Sequence, residues 1–219
     1  MAIFPMFDKD YARYYELFNS DKPYENEIKL VYDLAERPKK ILDIGCGTAH
    51  YWKYFPKETI IFGVEKSEYM ARLARIKDAI EVIDITKRPI MLKPMDCVTA
   101  LFDVLNYIPK HGWWKNLPLK KGGFYVFDVW NTEKVELEGF LPTVKKKDGV
   151  LRLIHPTRVD KKSVDLAVDI FDGKKIFHER HKMYLHSHED IVKFCGKHFE
   201  VVDVKYTNTW QTFYKLRRK

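Results

Sequence analysis

Five short apolar runs between residues 41 and 130 constrain the fold more than any other feature of the chain. They are "ILDI", "TIIFGVE", "IEVID", "MDCVTALF" and "GFYVFDVW", at residues 41–44, 59–65, 80–84, 95–102 and 123–130. Each run is rich in Val, Ile and Phe and nearly continuous, as expected for strands that are covered on both faces. Stretches with helical spacing, such as "SEYMARLARI", separate the runs. This alternation predicts a doubly wound α/β domain with a parallel sheet.

Two helices are predicted ahead of the first strand. Residues 8–19 carry Tyr11, Tyr15 and Phe18 on one helical face, and residues 24–36 show the same spacing of apolar side chains. Recurrence at i, i+3, i+4 and i+7 is typical of an amphipathic helix that covers a core.

The pattern changes after the fifth strand, where apolar and polar residues alternate with a period of two. The predicted strands of this antiparallel meander are 150–159, 162–171 and 174–185. The dipeptide "DG" at 172–173 is typical of a hairpin turn. Ser187 and Asp190 form a predicted capping box that opens a helix over 187–198. Two further strands are predicted at 199–206 and 212–218.

Composition narrows the class of protein. The 219 residues suit one domain, and no apolar run approaches the roughly 18 residues of a membrane helix. The first residues do not resemble a secretory signal, and three widely spaced cysteines describe no disulfide framework. We therefore expect a soluble, cytoplasmic protein. The net charge of +8 comes from lysines spread along the chain, which is typical of a solvated surface.

The segment "KKILDIGCGTAHYW", residues 39–52, follows its first apolar run with two glycines one residue apart. A dinucleotide fingerprint requires a third small residue, and His50 stands there instead. A carboxylate at Asp43 would repel a pyrophosphate, so a nicotinamide oxidoreductase is disfavoured. The same carboxylate suits a ligand that carries positive charge. No phosphate-binding Gly-Lys-Ser/Thr pattern follows the glycines.

Residues 8–131 resemble the class I S-adenosylmethionine (SAM)-dependent methyltransferases. "LDIGCGTA" is similar to the family's acidic strand end followed by G-x-G, although Ala49 stands where a third glycine is usual. Glu65, 22 residues after Asp43, matches the acid that holds the ribose hydroxyls, and Asp84 matches the acid near the adenine. The strand "MDCVTALF" and the turn "LKKGG" before the fifth strand complete the resemblance.

The resemblance implies a Rossmann-like seven-stranded methyltransferase sheet, with a small antiparallel β cap inserted after strand five. It divides the single domain into four parts: an N-terminal helical lid at 1–38, a cofactor-binding half at 39–131, the cap at 132–186, and a C-terminal helix with two strands at 187–219. The residues implied to bind SAM are Tyr11, Tyr15, Asp43, Gly45, Cys46, Gly47, Glu65, Lys66, Asp84, Ile85, Leu101 and Phe102. Cys46 is expected to contribute its backbone, because nothing nearby would activate its thiol.

The strand 174–185 supplies the candidate catalytic residues. Alternation places Glu179 and His181 on an otherwise apolar face, where a carboxylate beside an imidazole can accept or orient a proton. The other face takes Arg180 and Lys182. "ERHKM" also resembles an E-x-H-x-M pattern in family members that methylate amino sugars. The alternative, an internal ion pair that stabilises the sheet, stays open. Tyr15 is the third candidate. The histidines from 178 to 198 do not share a face, so we expect no metal site.

The resulting hypothesis is a SAM-dependent methyltransferase that acts on a small-molecule acceptor, an amine that can be anionic. An RNA or protein methyltransferase is an alternative that the positive charge favours. Against it, "FDVLNYIP" follows strand four in place of the Asn/Asp-Pro-Pro-Tyr pattern of nucleic-acid amino methylation, and no nucleic-acid module is present. A non-catalytic SAM-binding protein also fits the sequence.

Overall fold

The main sheet has seven strands, seen in a computed structural model that describes residues 7–109, 112–133, 141–207 and 210–219. The first five strands are β1 (Lys40–Ile44), β2 (Ile60–Glu65), β3 (Ile80–Val82), β4 (Met95–Ala100) and β5 (Leu119–Trp130). They pair in parallel in the order β5-β4-β1-β2-β3. The predicted doubly wound α/β fold with a seven-stranded methyltransferase-like sheet is confirmed.

The central strands are buried on both faces, which explains their continuous apolar character. Leu42 and Val98 belong to the core on one side of the sheet. Their sequence neighbours Ile41 and Cys97 belong to the core on the other side. All four are at most 1% exposed. Because successive side chains of a strand point to opposite faces, such a strand needs apolar residues at every position.

A second, antiparallel sheet of four strands follows β5 in the chain. Its strands are β6 (Thr143–Lys147), β7 (Val150–Val159), β8 (Ser163–Phe171) and β9 (Ile176–Tyr184), in that order. The predicted three-stranded meander lacked β6. This edge strand, "TVKKK", shows no apolar alternation, and its Lys145 instead bonds the carbonyl of Phe18 and the carboxylate of Asp21.

The α-helices whose two ends lie in the described ranges are α1 (Lys9–Asn19), α2 (Tyr24–Leu34), α3 (Glu68–Leu73) and α4 (His188–Cys195). Short 3-10 helical turns lie at His50–Tyr54, Lys77–Ala79, Val104–Tyr107 and Gly112–Asn116. None of the helices in these described ranges is long and apolar enough to cross a membrane. The predicted capping box of α4 is present, with both Ser187 and Asp190 accepting the other's backbone N–H.

The last two strands return to the main sheet, and α1 covers the second sheet. β10 (Phe199–Tyr206) and β11 (Gln211–Arg218) run antiparallel, with β11 paired to β5. Tyr11 and Phe18 of α1 pack on Val168 and Ile170 of β8. The second sheet is thereby held beside the carboxyl ends of the parallel strands, where ligands bind in open α/β sheets.

Candidate active site

A cavity of about 1000 Å³ lies at the carboxyl ends of the parallel strands. One side is built from the residues that end or follow β1, β2 and β3: Gly45, Gly47, Glu65 and Asp84. We call these four residues the strand-end wall. The opposite side includes Tyr107, which follows β4, and Arg180 and Lys182 of β9. We call these three residues the cap wall. Both walls belong to one cavity large enough for a cofactor and a small acceptor.

The glycine turn of the strand-end wall can hold no side chain at its first position. Gly45 has φ +65° and Gly47 has φ +57°, both in the left-handed region that favours glycine. A Cβ on Gly45 would lie 2.6 Å from Cγ2 of Val104. Ala49, which replaces a third glycine, also has a left-handed backbone, at φ +53°. The turn therefore brings bare backbone to the cavity.

Glu65 presents a carboxylate next to that turn. Its Oε2 accepts the backbone N–H of Gly47 at 2.8 Å, and its Oε1 accepts that of Ser67 at 2.7 Å. Desolvation by burial raises the pKa of Glu65, against the lowering effect of these backbone hydrogen bonds. Each oxygen keeps a further lone pair, so the carboxylate can accept a pair of ligand hydroxyls.

Asp84 forms the far end of the strand-end wall. Its Oδ1 accepts the backbone N–H of Thr86 at 3.0 Å and the hydroxyl of Thr86 at 2.6 Å. Lys66 lies 3.2 Å from its Oδ2. Desolvation opposes ionisation, but the Thr86 bonds and the Lys66 ammonium prevail and lower the pKa of Asp84. This carboxylate is therefore ionised and fixed at neutral pH.

Asp43 does not line the cavity, which corrects the expectation that it binds the ligand. It is fully buried and accepts three side-chain hydrogen bonds, all shorter than 3 Å. The donors are the hydroxyl of Tyr51 at 2.7 Å, the indole N–H of Trp52 at 2.6 Å and the hydroxyl of Thr99 at 2.8 Å. Burial raises the pKa of Asp43 to about 6, against the effect of these bonds. The carboxylate holds β1 to β4 and to the helical turn after the glycines.

The loop after β4 is held in an unusual conformation by a buried acid. Phe102 and Asp103 have φ +62° and +67°. Their backbone N–H groups donate to the two carboxylate oxygens of Asp128 on β5, at 2.6 and 3.0 Å. Such non-glycine left-handed residues cost of order 1 kcal/mol each and persist only where the surroundings fix them. Asp128 thereby aims the Phe102 ring at the cavity, which it lines.

The tyrosines of α1 divide between cavity and core. Tyr15 lines the cavity. Tyr11 does not: it is 8% exposed and packs with its ring 5.5 Å from Phe7 and 5.5 Å from His181. The expectation that Tyr11 binds the cofactor is therefore corrected, because its ring fills the space between α1 and the second sheet.

Glu179 and His181 also lie outside the cavity, contrary to expectation. They are 3% and 4% exposed, and His181 Nε2 lies 2.6 Å from Glu179 Oε2. The other oxygen of Glu179 accepts the backbone N–H of Asp8 at 2.9 Å. Nδ1 of His181 lies 2.8 Å from the hydroxyl of Tyr107. The apolar face of β9 is the face that α1 covers, so this pair is buried in the packing interface.

The opposite face of β9 supplies the charged part of the cap wall. Arg180 and Lys182 line the cavity, although the sequence favoured their neighbours. Neither makes an ion pair with any residue in the described ranges. Alternation predicted that these two residues share a face. It did not predict which face of the strand meets the cavity.

The structure places ten predicted site residues on the cavity wall: Tyr15, Gly45, Cys46, Gly47, Glu65, Lys66, Asp84, Ile85, Leu101 and Phe102. Their roles in ligand binding stay predictions. Burial raises the pKa of the Cys46 thiol, which keeps it protonated and unreactive. In the described ranges, no group of three or more His, Cys, Asp or Glu side chains is arranged to hold a metal ion.

Three structural observations indicate that SAM fits the strand-end wall. The turn at Gly45 leaves backbone where any Cβ would collide with Val104. Glu65 and Asp84 present carboxylates to the cavity. The side chain of Glu65 is buried, and that of Asp84 is partly buried and ionised. Glu65 would accept the ribose hydroxyls, and Asp84 would lie near the adenine amino group. The cavity volume leaves room for an acceptor beside the cofactor.

Comparison with known proteins gives few matches in sequence and many in structure. No family model matches the chain. A curated relative from Geobacillus sp. (strain WCH70), whose name proposes a methyltransferase, is 27% identical over 146 residues. The aligned region covers 58% of this chain and 59% of the relative, so the chain matches about three-fifths of that protein's length.

Solved structures match along nearly the whole chain. A SAM-dependent methyltransferase from Clostridium acetobutylicum ATCC 824 has a TM-score of 0.76 and 21% identity, with 98% of this chain and 99% of the other covered. SAM-bound CalS10, an amino pentose methyltransferase from Micromonospora echinaspora, has a TM-score of 0.71 and 17% identity, with both chains covered completely. The chain therefore has the fold of SAM-dependent methyltransferases.

Proposed function

We propose that the protein is a SAM-dependent methyltransferase whose acceptor is a small molecule, an amine that carries negative charge. The proposal rests on the contrast in charge between the strand-end wall and the cap wall of one cavity. The strand-end wall offers bare backbone and two carboxylates, and the cap wall offers two cations. Bound SAM would supply an electrophilic methyl group, so the protein's own task is to position an acceptor and to exclude water.

The aromatic lining of the cavity supports a small acceptor. Aromatic side chains from three separate segments line it, among them Tyr15 of α1, Tyr24 of α2 and Phe102 after β4. The Tyr24 and Phe102 rings meet edge to face at 5.1 Å. Such walls exclude water and leave an amine as a desolvated nucleophile whose lone pair is free to attack.

The cap wall supports a negatively charged acceptor. Arg180 and Lys182 lie at i and i+2 on one strand, so they point to the same side. An arginine and a lysine in this arrangement suit a phosphate, which accepts from both. The likeness to CalS10, whose described acceptor is an amino pentose, favours an amino sugar as the acceptor class.

The test is a transfer assay with SAM and a panel of amino sugars, each offered with and without a phosphate group. We expect methylation of a phosphorylated amino sugar, detected as a product heavier by one methylene group. Methylation of RNA or protein under the same conditions, with none of the small amines modified, would contradict the proposal. SAM binding without transfer to any acceptor class would support the non-catalytic alternative.

A further inference from the structure

A chain of side chains leads from the cavity into the interior between α1 and the second sheet. Tyr107 lines the cavity, and its hydroxyl lies 2.8 Å from Nδ1 of His181. Nε2 of the same ring lies 2.6 Å from Oε2 of Glu179, whose other oxygen accepts the backbone N–H of Asp8. Of these three side chains, Tyr107 is the one that meets the cavity.

The direction of these hydrogen bonds follows from the acid at the buried end. An ionised Glu179 has no hydrogen to donate, so the hydrogen between it and His181 belongs to Nε2. A neutral imidazole then carries its lone pair on Nδ1 and accepts the hydroxyl hydrogen of Tyr107. The oxygen of Tyr107, a residue that lines the cavity, is left with lone pairs. With this arrangement of hydrogens, Tyr107 can act as an acceptor toward a ligand that reaches its hydroxyl.

The surroundings keep Tyr107 a phenol rather than a phenolate. Burial raises the pKa of Tyr107 well above the usual 10. The nearby acidic side chains raise it further: Tyr11, Asp103, Tyr15 and Glu179. The titratable groups that face Tyr107 and His181 are Tyr11, Tyr15, Asp103 and Glu179. Because Tyr107 keeps a proton, it can accept a second one only while it passes its own to His181.

Asn106 fixes the position of this tyrosine. It is fully buried, its side-chain N–H donates to the carbonyl of Tyr184 on β9 at 2.7 Å, and its oxygen accepts the N–H of Trp130 on β5 at 3.1 Å. The residue next to Tyr107 therefore ties its helical turn to both sheets. A hydroxyl held this way can be aimed at a reacting group without a conformational change.

We propose that Tyr107 takes the proton that an acceptor amine loses on methylation and that His181 takes the hydroxyl proton of Tyr107. This inference rests on the proposed function. An N–H bond of the methylated ammonium breaks, and its electron pair stays on nitrogen. A new O–H bond forms on Tyr107 as its former hydrogen moves to Nδ1 of His181. The resulting imidazolium is paired with Glu179, and the same path returns the proton to water after the product leaves.

The premise of the relay can be tested without an acceptor. Nitrogen-15 NMR of the His181 ring at neutral pH should show a neutral imidazole that is protonated at Nε2, with Nδ1 hydrogen-bonded. In Tyr107→Phe the chemical shift of Nδ1 should move toward the value of an imidazole nitrogen whose lone pair accepts no hydrogen bond. A ring protonated at Nδ1, or an imidazolium that persists from acidic to alkaline pH, would overturn the relay.

Activity provides the second test, with glucosamine 6-phosphate as the probe acceptor. Tyr107→Phe should lower kcat by roughly 10²–10⁴-fold, the usual size of a general acid–base contribution. SAM affinity should stay within about twofold, because the cofactor lies on the other wall. Tyr14→Phe is the matched control: it removes a hydroxyl bonded to Asp172 outside the cavity and should not alter kcat. A loss below about threefold in Tyr107→Phe would contradict the relay.

The pH dependence separates proton transfer from a structural role. The ratio of wild-type kcat to that of Tyr107→Phe cancels the ionisation of the acceptor. We expect this ratio to change with pH, because only the wild-type enzyme moves a proton through the hydroxyl of Tyr107. A ratio that does not change with pH would refute the relay.

Failure of the relay and failure of the proposed function give different results. If wild-type protein does not bind SAM, the proposed function fails and the NMR result still decides the hydrogen-bond arrangement. If SAM binds and the probe is methylated equally by wild type and Tyr107→Phe, the function stands and the relay alone is refuted.

Discussion

The strand-end wall and the cap wall face the same cavity but are built in opposite ways. In the strand-end wall the backbone itself is presented at Gly45 and Gly47, and both charged groups are negative. In the cap wall long side chains reach inward, and both charged groups, Arg180 and Lys182, are positive. One wall thus tolerates almost no change of side chain, and the other can change without disturbing the main sheet.

Under the proposed function, this difference separates recognition of the cofactor from recognition of the acceptor. A backbone turn between parallel strands fixes one geometry, as suits a cofactor that does not vary. Side chains on an antiparallel edge strand can be exchanged at little cost to the fold, as suits an acceptor that differs among enzymes. We therefore expect substitutions in the strand-end wall to affect cofactor affinity and those in the cap wall to affect the acceptor.

The largest expected effect follows from Gly45→Ala. The new Cβ would collide with Val104, whose atoms lie 2.6 and 2.8 Å from its position, and the left-handed backbone adds strain. We expect a loss of SAM affinity of more than roughly 100-fold by calorimetry, since the turn must move by more than a few tenths of an ångström. Gly149→Ala is the matched control, because Gly149 also has a positive φ but an added Cβ there meets nothing within 4 Å. It should lower stability slightly and leave SAM affinity unchanged.

Asp43 tests the support behind the strand-end wall through the pH dependence of stability. Its folded pKa of about 6 lies above the ordinary value of 3.8, so the folded state holds this proton more tightly than the unfolded state does. Its contribution to stability is therefore full below pH 3.8 and is lost as pH rises to about 6. The free energy of unfolding of wild type, minus that of Asp43→Asn, should fall by up to about 3 kcal/mol over this interval.

Asp96→Asn provides the control of opposite sign. Desolvation opposes ionisation of Asp96, but its bond to Lys120 prevails and lowers its pKa. The free energy of unfolding of wild type, minus that of Asp96→Asn, should therefore rise with pH. Urea denaturation at several pH values measures both, and a flat or rising difference for Asp43 would contradict its assignment as a buried structural acid.

Glu65→Gln probes the acid of the strand-end wall that meets the cavity. The amide keeps one acceptor but loses the charge, so SAM affinity should fall by about 1.5–3 kcal/mol, the scale of a hydrogen bond to a charged group. Glu68→Gln is the control, since Glu68 also lines the cavity but pairs with the exposed Arg72. Equal calorimetric affinities for both variants would show that Glu65 does not hold the cofactor.

The smallest effect is expected from the cap wall. The double variant Arg180→Gln/Lys182→Gln should raise KM for a phosphorylated acceptor roughly tenfold, because each lost charge contributes about 0.7 kcal/mol at a solvated site. The dissociation constant for SAM should not change. Lys174→Gln/Lys175→Gln, at the hairpin that leads into β9, removes the same net charge away from the cavity. If both double variants shift KM equally, the cap wall does not select the acceptor.

The sequence predicted the strand-end wall well because its residues lie within or directly after contiguous apolar runs. Glu65 and Asp84 were predicted from the resemblance to the family's acids after strands two and three, and the structure lines the cavity with both. Asp43 was predicted from the same resemblance, but the structure places it behind the cavity wall. The donors that neutralise it include Tyr51 and Trp52, which belong to a helical turn that the apolar pattern did not indicate.

The cap wall was harder to predict because its residues come from distant segments. Alternation along β9 separated Glu179 and His181 from Arg180 and Lys182 correctly. The structure places the apolar face of β9 under α1, so Glu179 and His181 lie behind the cavity wall, and their role in proton transfer stays a prediction. Tyr107 was missed altogether, because only the folded chain brings it within 2.8 Å of His181.

The most direct test of the whole account is calorimetric titration of the wild-type protein with SAM, S-adenosylhomocysteine and NAD. A cavity with bare backbone at Gly45 and carboxylates at Glu65 and Asp84 should bind the first two at one site per chain. It should show no measurable affinity for NAD, since the strand-end wall presents two carboxylates to a pyrophosphate and the nearby Lys66 is paired with Asp84. Tight binding of NAD, or no binding of SAM by folded protein, would contradict the account.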